Sequence, residues 1–223
     1  MNTFLTDKNR AVRRAARAFC EREIAPIAKQ IDQEASFPWE VADKMGRLGY
    51  FGIQAPKALG GAELDTASYV LIIEEISRAS GGLGLCVTVH NSVAVAPILA
   101  FGTEAQKQRW IPPLARGEKI GAFCLTEPNA GSDASGIEAT ALKDGDHYCV
   151  NAGKVLVTNG GIADICLIFA RTDPRAGRRG ISVAGWFLRA SLARGGRRLP
   201  VQGAARRHGR GTQGMGAGAR GAA

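Results

Sequence analysis

The stretch "FCLTEPNAGSDASG", Phe123 to Gly136, decides how this chain is divided. An apolar run ends there in a loop that carries the hydroxyls of Thr126 and Ser132, the carboxylates of Glu127 and Asp133, Pro128 and Gly131. Turn formation accounts for Pro128, Asn129 and Gly131, which are ordinary turn residues. It does not call for the hydroxyls and carboxylates, so the loop reads as a segment that binds something.

Upstream of this loop the apolar pattern is helical. Val12, Ala15, Ala16, Phe19, Ile24, Ile27 and Ile31 recur at three- and four-residue spacing, which predicts one face of a long amphipathic helix from Asp7 to about Ile31, bent at Pro26. A second helix follows Phe37, with Pro38 in its first turn. Asp65 or Thr66 caps a third helix through about Arg78, ended by the Ser80-Gly81-Gly82 run. Leu83 to Ala100 is apolar almost throughout and reads as a helix buried on most sides. Thr103 and Gln106 make a capping box for a short helix through Trp110.

Downstream the period changes. "IGAFCL", "IEATAL", "HYCVN", "KVLVT" and "ADICLIFAR" are short runs rich in β-branched and aromatic residues, and Asp144-Gly145 between two of them is a hairpin turn. Ala163 to Arg171 reads as a strand covered on both faces. The expected fold class is α+β: an all-α helical domain over residues 1–118, then a truncated, β-barrel-like middle domain over 119–181. Residues 182–223 form an aberrant tail of Arg, Gly and Ala without periodicity, which cannot build a packed core and is expected to be disordered. A shifted reading frame in a GC-rich gene produces such text; a genuine basic tail is the alternative.

The net charge of +9 belongs to that tail. Eleven arginines and no Asp, Glu or Lys lie from Arg175 onward, and removing them from the 29 basic residues leaves 18 against 20 acidic ones. The body of the chain is slightly acidic, which argues against nucleic acid as its partner. The five cysteines are scattered among apolar neighbours and the three histidines have no metal-ligand spacing, so no metal site or disulfide framework is expected. No stretch approaches the roughly 20 uninterrupted apolar residues of a membrane span, and the N-terminus lacks the apolar segment of a secretory signal. The expected location is the cytoplasm, without membrane association.

At "CLTEPNAGSD", Cys124 to Asp133, the chain resembles the flavin-binding signature of the acyl-CoA dehydrogenase family. The similarity extends from about Phe4 to Ile181 through "LGYFGIQAPKALGGAELD", "VHNSVAVAPILAFGTEAQKQRWIPPLARGE" and "KVLVTNGGIADICLIFARTDP". The resemblance implies a helical first domain, a β-rich middle domain and a C-terminal four-helix bundle that this chain lacks, with FAD held between the last two. It implies the conversion of an acyl-CoA thioester to a trans-2-enoyl-CoA in fatty acid metabolism, a carboxylate taking a proton and flavin N5 a hydride. Short- and medium-chain substrates are the closer branch. Electron-transfer flavoprotein is the implied acceptor, and the full-length family forms homo-oligomers.

By the same resemblance, the cofactor-binding residues are Phe123, Cys124, Leu125, Thr126, Gly131, Ser132, Leu156, Val157 and Thr158. Leu125 and Thr126 present donors to the pyrimidine end of the ring and Thr158 addresses its N5 side. Gly131 lets the backbone approach the pyrophosphate, and Ser132 donates to a phosphate or to the acyl-CoA, which makes it the substrate-binding residue as well. Leu156 stands where many members carry an aromatic residue on the flavin's face, and "NAGK" at Asn151 to Lys154 replaces a commoner Asn-Gly turn. Glu127 is assigned no catalytic role, because the family's base comes from the absent bundle; Glu127 and Asp133 are expected to satisfy loop amides and a neighbouring arginine. The chain alone is therefore expected to be inactive. Two other readings are a non-catalytic module that binds CoA, flavin or a partner subunit, and nucleic-acid binding through the arginine-rich tail.

Overall fold

The computed structural model describes residues 5–145, 147–187 and 206–207. Helix α1 (Asp7–Phe19) starts at a capping box: the Asn9 N–H donates to Thr6 Oγ1 at 3.1 Å and the Thr6 N–H to Asn9 Oδ1 at 3.0 Å. It runs into one widened turn, Cys20–Ile24, where the Ala25 N–H donates five residues back to the Cys20 carbonyl at 2.8 Å. Pro26 follows immediately, with no N–H to give, and the chain resumes as α2 (Ala28–Gln33). Helix α3 (Trp39–Arg47) begins just after Pro38, and α4 (Thr66–Ala79) is capped by Asp65, which accepts the Ser68 N–H at 2.7 Å. Phe19, Ile24, Met45, Phe51, Ile53, Ile72 and Ile76 are the centre of the core these helices enclose.

Ser80 caps the next helical run, Gly81–Phe101, composed of α5 (Gly81–Val89), a second widened turn (His90–Val95) and α6 (Ala96–Phe101). Here too a proline, Pro97, sits just past the widened turn, so both irregular turns place room ahead of a pyrrolidine ring. This 21-residue run is, by length and composition, apolar enough to cross a membrane, contrary to the expectation that no stretch approaches that size. It is also less enclosed than expected: Leu85 and Phe101 are each more than half exposed, while its other face packs against α4, α7 and the sheet. Helix α7 (Glu104–Ala115) opens with the expected Thr103–Gln106 capping box and continues through Pro112 and Pro113, past the predicted end at Trp110.

The β region is one sheet. Strand β4 (Ile165–Arg171) lies in its middle, with β1 (Gly121–Cys124) parallel to it through Gly121↔Ile165 to Cys124↔Ile168. Strands β2 (Thr140–Asp144) and β3 (His147–Asn151) form the predicted hairpin, with Gly145 at φ 58°, and Thr140 pairs with Arg171 of β4. Strand β5 (Ile181–Phe187) runs antiparallel to β4 and pairs at its start with the two-residue β6 (Arg206–Arg207). The sheet thus carries on beyond residue 181; the rest of the expected disordered tail, 188–205 and 208–223, lies outside the described residues.

One predicted strand does not form. "KVLVT", residues 154–158, is a loop, because Leu156 sits at φ 54° and Asn159 at φ 66°, left-handed conformations that end any ladder. The expectation for β4 is confirmed: Ile165, Cys166, Leu167 and Ile168 are all buried, alternating between a cluster facing the helices and one facing β2 and the 157–163 segment.

His90 and Asn159 join the two parts. The imidazole is fully buried in the widened turn, with Nε2 3.1 Å from the Leu114 carbonyl and Nδ1 3.1 Å from the Gly121 N–H. The Gly121 N–H donates to Nδ1, so the ring proton resides on Nε2 and donates to Leu114. Burial pulls its pKa down to about 4. Asn159 Nδ2 donates to the Cys86 carbonyl at 3.0 Å and to the Gly121 carbonyl at 3.1 Å, tying α5 to the start of β1.

Candidate functional site

The loop quoted first leaves the C-terminal end of β1 and meets the 154–158 segment side by side. The Val155 N–H donates to the Thr126 carbonyl at 3.0 Å. Lys154 Nζ donates to the Leu125 carbonyl at 2.9 Å and to Glu127 Oε1 at 2.7 Å. The turn inside the loop is closed by reciprocal bonds between Glu127 and Ala130, 3.0 and 3.1 Å long.

Glu127 is the hub of this arrangement. Oε2 accepts the Glu138 N–H at 2.5 Å and Oε1 accepts the Ala139 N–H at 3.0 Å, so one carboxylate links the loop to the entry of β2 as well as to Lys154. Burial raises the carboxyl's pKa, but Lys154 and the two amides outweigh that and hold it below the ordinary carboxylate value. The expectation that Glu127 satisfies loop amides is correct; its cationic neighbour is a lysine, not an arginine. Asp133 accepts the Ser135 N–H at 3.0 Å and the Ser135 hydroxyl at 2.5 Å. Those bonds, with Arg178 nearby, keep its carboxyl below the usual range.

The loop's far end is held by Arg171, whose guanidinium donates to the carbonyls of Ile137 (2.7 Å), Ser135 (2.9 Å) and Gly177 (2.9 Å). This joins the loop to the β4–β5 connection. Sequence patterns did not single out Lys154, Arg171 or Asn159. A lone cation at the edge of an apolar run was the available signal for Lys154.

The expected site residues divide into two groups. Phe123 and Cys124 point their side chains into the sheet: the Phe123 ring meets Phe169 edge-on at 4.9 Å, and Cys124 is buried in the cluster behind β1. Val157 packs into that same cluster. Leu125, Thr126 and Thr158 are half-buried around the junction of the two segments, and among the described residues neither threonine hydroxyl has a protein partner. Leu156 projects into solvent, 90% exposed. Gly131 and Ser132 are exposed at the loop's apex, and a Cβ on Gly131 would meet nothing within 4 Å. The outcome is two adjoining arms with free hydroxyls, an unpacked apolar side chain on one of them and open space over a glycine. Among the described residues no group of His, Cys, Asp or Glu could hold a metal ion.

Comparison with known proteins identifies the family. Residues 6–118 match the family described as "Acyl-CoA dehydrogenase, N-terminal domain" and residues 122–196 match "Acyl-CoA dehydrogenase, middle domain". The short-chain specific acyl-CoA dehydrogenase of Clostridium acetobutylicum is 46% identical over 182 residues, which are 82% of this chain and 48% of that protein. Among solved structures, butyryl-CoA dehydrogenase from Megasphaera elsdenii superposes with a TM-score of 0.79 at 38% identity, covering 84% of this chain and 50% of that one. A chain from the structure of the electron transferring flavoprotein of Acidaminococcus fermentans gives a TM-score of 0.81 at 39% identity, covering 85% and 50%. The chain spans about half the length of the curated relatives it matches. With both consecutive domains matched and the loop of residues 123–136 lying within the second, this chain belongs to the acyl-CoA dehydrogenase family.

Proposed function

We propose that the chain is the N-terminal and middle part of an FAD-dependent acyl-CoA dehydrogenase that, when complete, converts an acyl-CoA thioester to its trans-2-enoyl-CoA. The observation that carries this is the pair of arms at Thr126 and Val155, with unpartnered threonine hydroxyls on both and the exposed Leu156 on the second. Those residues fit a flavin: neutral donors suit the polar edge of an isoalloxazine ring, and an exposed aliphatic side chain suits its face. When bound, FAD supplies the acceptor for a hydride from the substrate's β carbon. Leu125, Thr126 and Thr158 serve the ring, Gly131 leaves room for the pyrophosphate, and Ser132 offers its hydroxyl to a phosphate or to acyl-CoA. The cradle needs only the backbone of Phe123 and Cys124.

Glu127 does not take the substrate's proton, since Lys154 and two amides occupy its oxygens. The proposed base is, as the family resemblance implies, a carboxylate of the region that follows the two matched domains, and the chain by itself is proposed not to turn over. Electron-transfer flavoprotein is the proposed acceptor, consistent with the flavoprotein named in the Acidaminococcus fermentans structure. A cytoplasmic homo-oligomer acting in fatty acid metabolism, bound to neither membrane nor nucleic acid, completes the proposal. The test mixes the purified chain with FAD and the C-terminal half of the Clostridium acetobutylicum relative. A yellow complex that forms enoyl-CoA from a short acyl-CoA is expected; a mixture that retains no flavin refutes the reading, and turnover by the chain alone refutes the absence of a base.

A further inference from the structure

Lys154 and Glu127 form an ion pair whose side chains are only 8% and 6% exposed, at the root of the two arms. Two charges withdrawn from water cost more than a simple turn requires, so the pair needs a role that an apolar contact could not fill. The geometry supplies one. Lys154 belongs to one arm and donates to the backbone and the carboxylate of the other, while Glu127 also grips the two amides that lead into β2. A carboxylate with several acceptor sites facing an ammonium with three donors is the smallest set that can join three backbone segments at one point.

The residues that follow show what is being held. Val155 bonds to Thr126, Leu156 adopts φ 54°, and Val157 is anchored in the cluster behind β1. Leu156 gains no packing from its left-handed conformation, since it is 90% exposed, so its strain is imposed by the fixed points on either side. We propose that Lys154 and Glu127 are positioning residues: their buried pair sets the separation of the two arms and holds Leu156 out, so that the cradle is shaped before the cofactor arrives. The cofactor's identity rests on the flavin reading above; the clamp itself rests on the bonds.

The test compares the 223-residue chain with Lys154→Met, Lys154→Arg and the double variant Glu127→Gln/Lys154→Met. Amide hydrogen exchange is followed over residues 123–128 and 153–160, and FAD affinity, with the C-terminal half of the Clostridium acetobutylicum relative added, by quenching of flavin fluorescence. Lys154→Met is expected to speed exchange at Val155 and Glu127 at least tenfold and to weaken FAD binding at least tenfold, with protection in the helical domain unchanged. Lys154→Arg, which keeps the charge and its donors, is expected to restore both. Unchanged exchange in Lys154→Met overturns the proposal, as does loosened exchange with unaltered FAD affinity. If Lys154→Met fails to fold, the double variant, which leaves no unpaired buried charge, decides: loosened arms support the clamp and wild-type exchange overturns it. If the wild-type chain quenches no flavin even with the C-terminal half of the Clostridium acetobutylicum relative added, the flavin reading is refuted, and the exchange data still judge the clamp.

Discussion

Protonating His90 should unlock the helical part from the sheet. The imidazole is fully buried and bridges the Leu114 carbonyl at the end of α7 to the Gly121 N–H at the start of β1, accepting the latter at Nδ1. A proton at Nδ1 removes that acceptor and leaves a cation that, among the described residues, has no carboxylate partner, beside the Phe51 ring. Its folded pKa is about 4 against an ordinary 6.5. Between those values the unfolded chain binds the extra proton and the folded chain does not, so stability rises with pH across that window. The contribution is complete above pH 6.5 and is lost as the pH falls through 4. From about pH 7.5 to about pH 4.5 the linkage amounts to about 2.5 kcal/mol. Urea unfolding at the two pH values, for the wild type and for His90→Gln, measures it. The variant should start less stable and show a pH dependence shallower by about that amount. Parallel stability profiles for the two proteins would falsify the assignment of this window to His90.

Further outcomes test other parts of the structure. Glu75 is fully buried among Arg13, Arg17 and Arg78; burial raises its carboxyl pKa and the three guanidiniums more than reverse that, to about 2. Glu75→Ala removes the partner the three arginines share, while Arg13 keeps Glu74 and Arg78 keeps Glu21, and should lower stability by about 1.5 kcal/mol in urea unfolding; the wild type should lose this contribution as pH falls from 4.5 towards 2. Leu156→Gly relieves left-handed strain at the price of chain entropy, so the cofactor-free chain should change by no more than about 1 kcal/mol in thermal unfolding while FAD binding weakens; a larger loss of stability means that Leu156 is packed. At Gly121 an added Cβ would stand 2.5 Å from the Ala94 side chain. Gly121→Ala should therefore cost about 1–3 kcal/mol by forcing β1 away from the helix beneath it, read as a lowered urea midpoint.

The helical half was legible because its signals are local. Asp65, Thr103 and Gln106 act within three residues of their partners, and the amphipathic spacing of α1 needs no knowledge of what it packs against. The hairpin between β2 and β3 was legible from Asp144-Gly145 for the same reason. The segment 154–158 was misjudged because β-branched composition argues for a strand and cannot register a positive φ at Leu156, which the surrounding bonds enforce. The extent of the sheet was likewise missed, because β5 is defined by pairing with β4 rather than by its own alternation.

Sequence alone therefore determined the division into a helical half and a sheet, most of the element boundaries and the family, and it singled out the loop of residues 123–136. The tertiary structure decided which residues of that loop face outward, that Glu127 is spent on Lys154 and two amides, and that His90 and Asn159 lock the halves together. The reason is distance along the chain. Lys154 lies 27 residues from Glu127, His90 lies 31 from Gly121 and Asn159 lies 38 from it, so each pairing exists only after β1, β4 and the central helix have met.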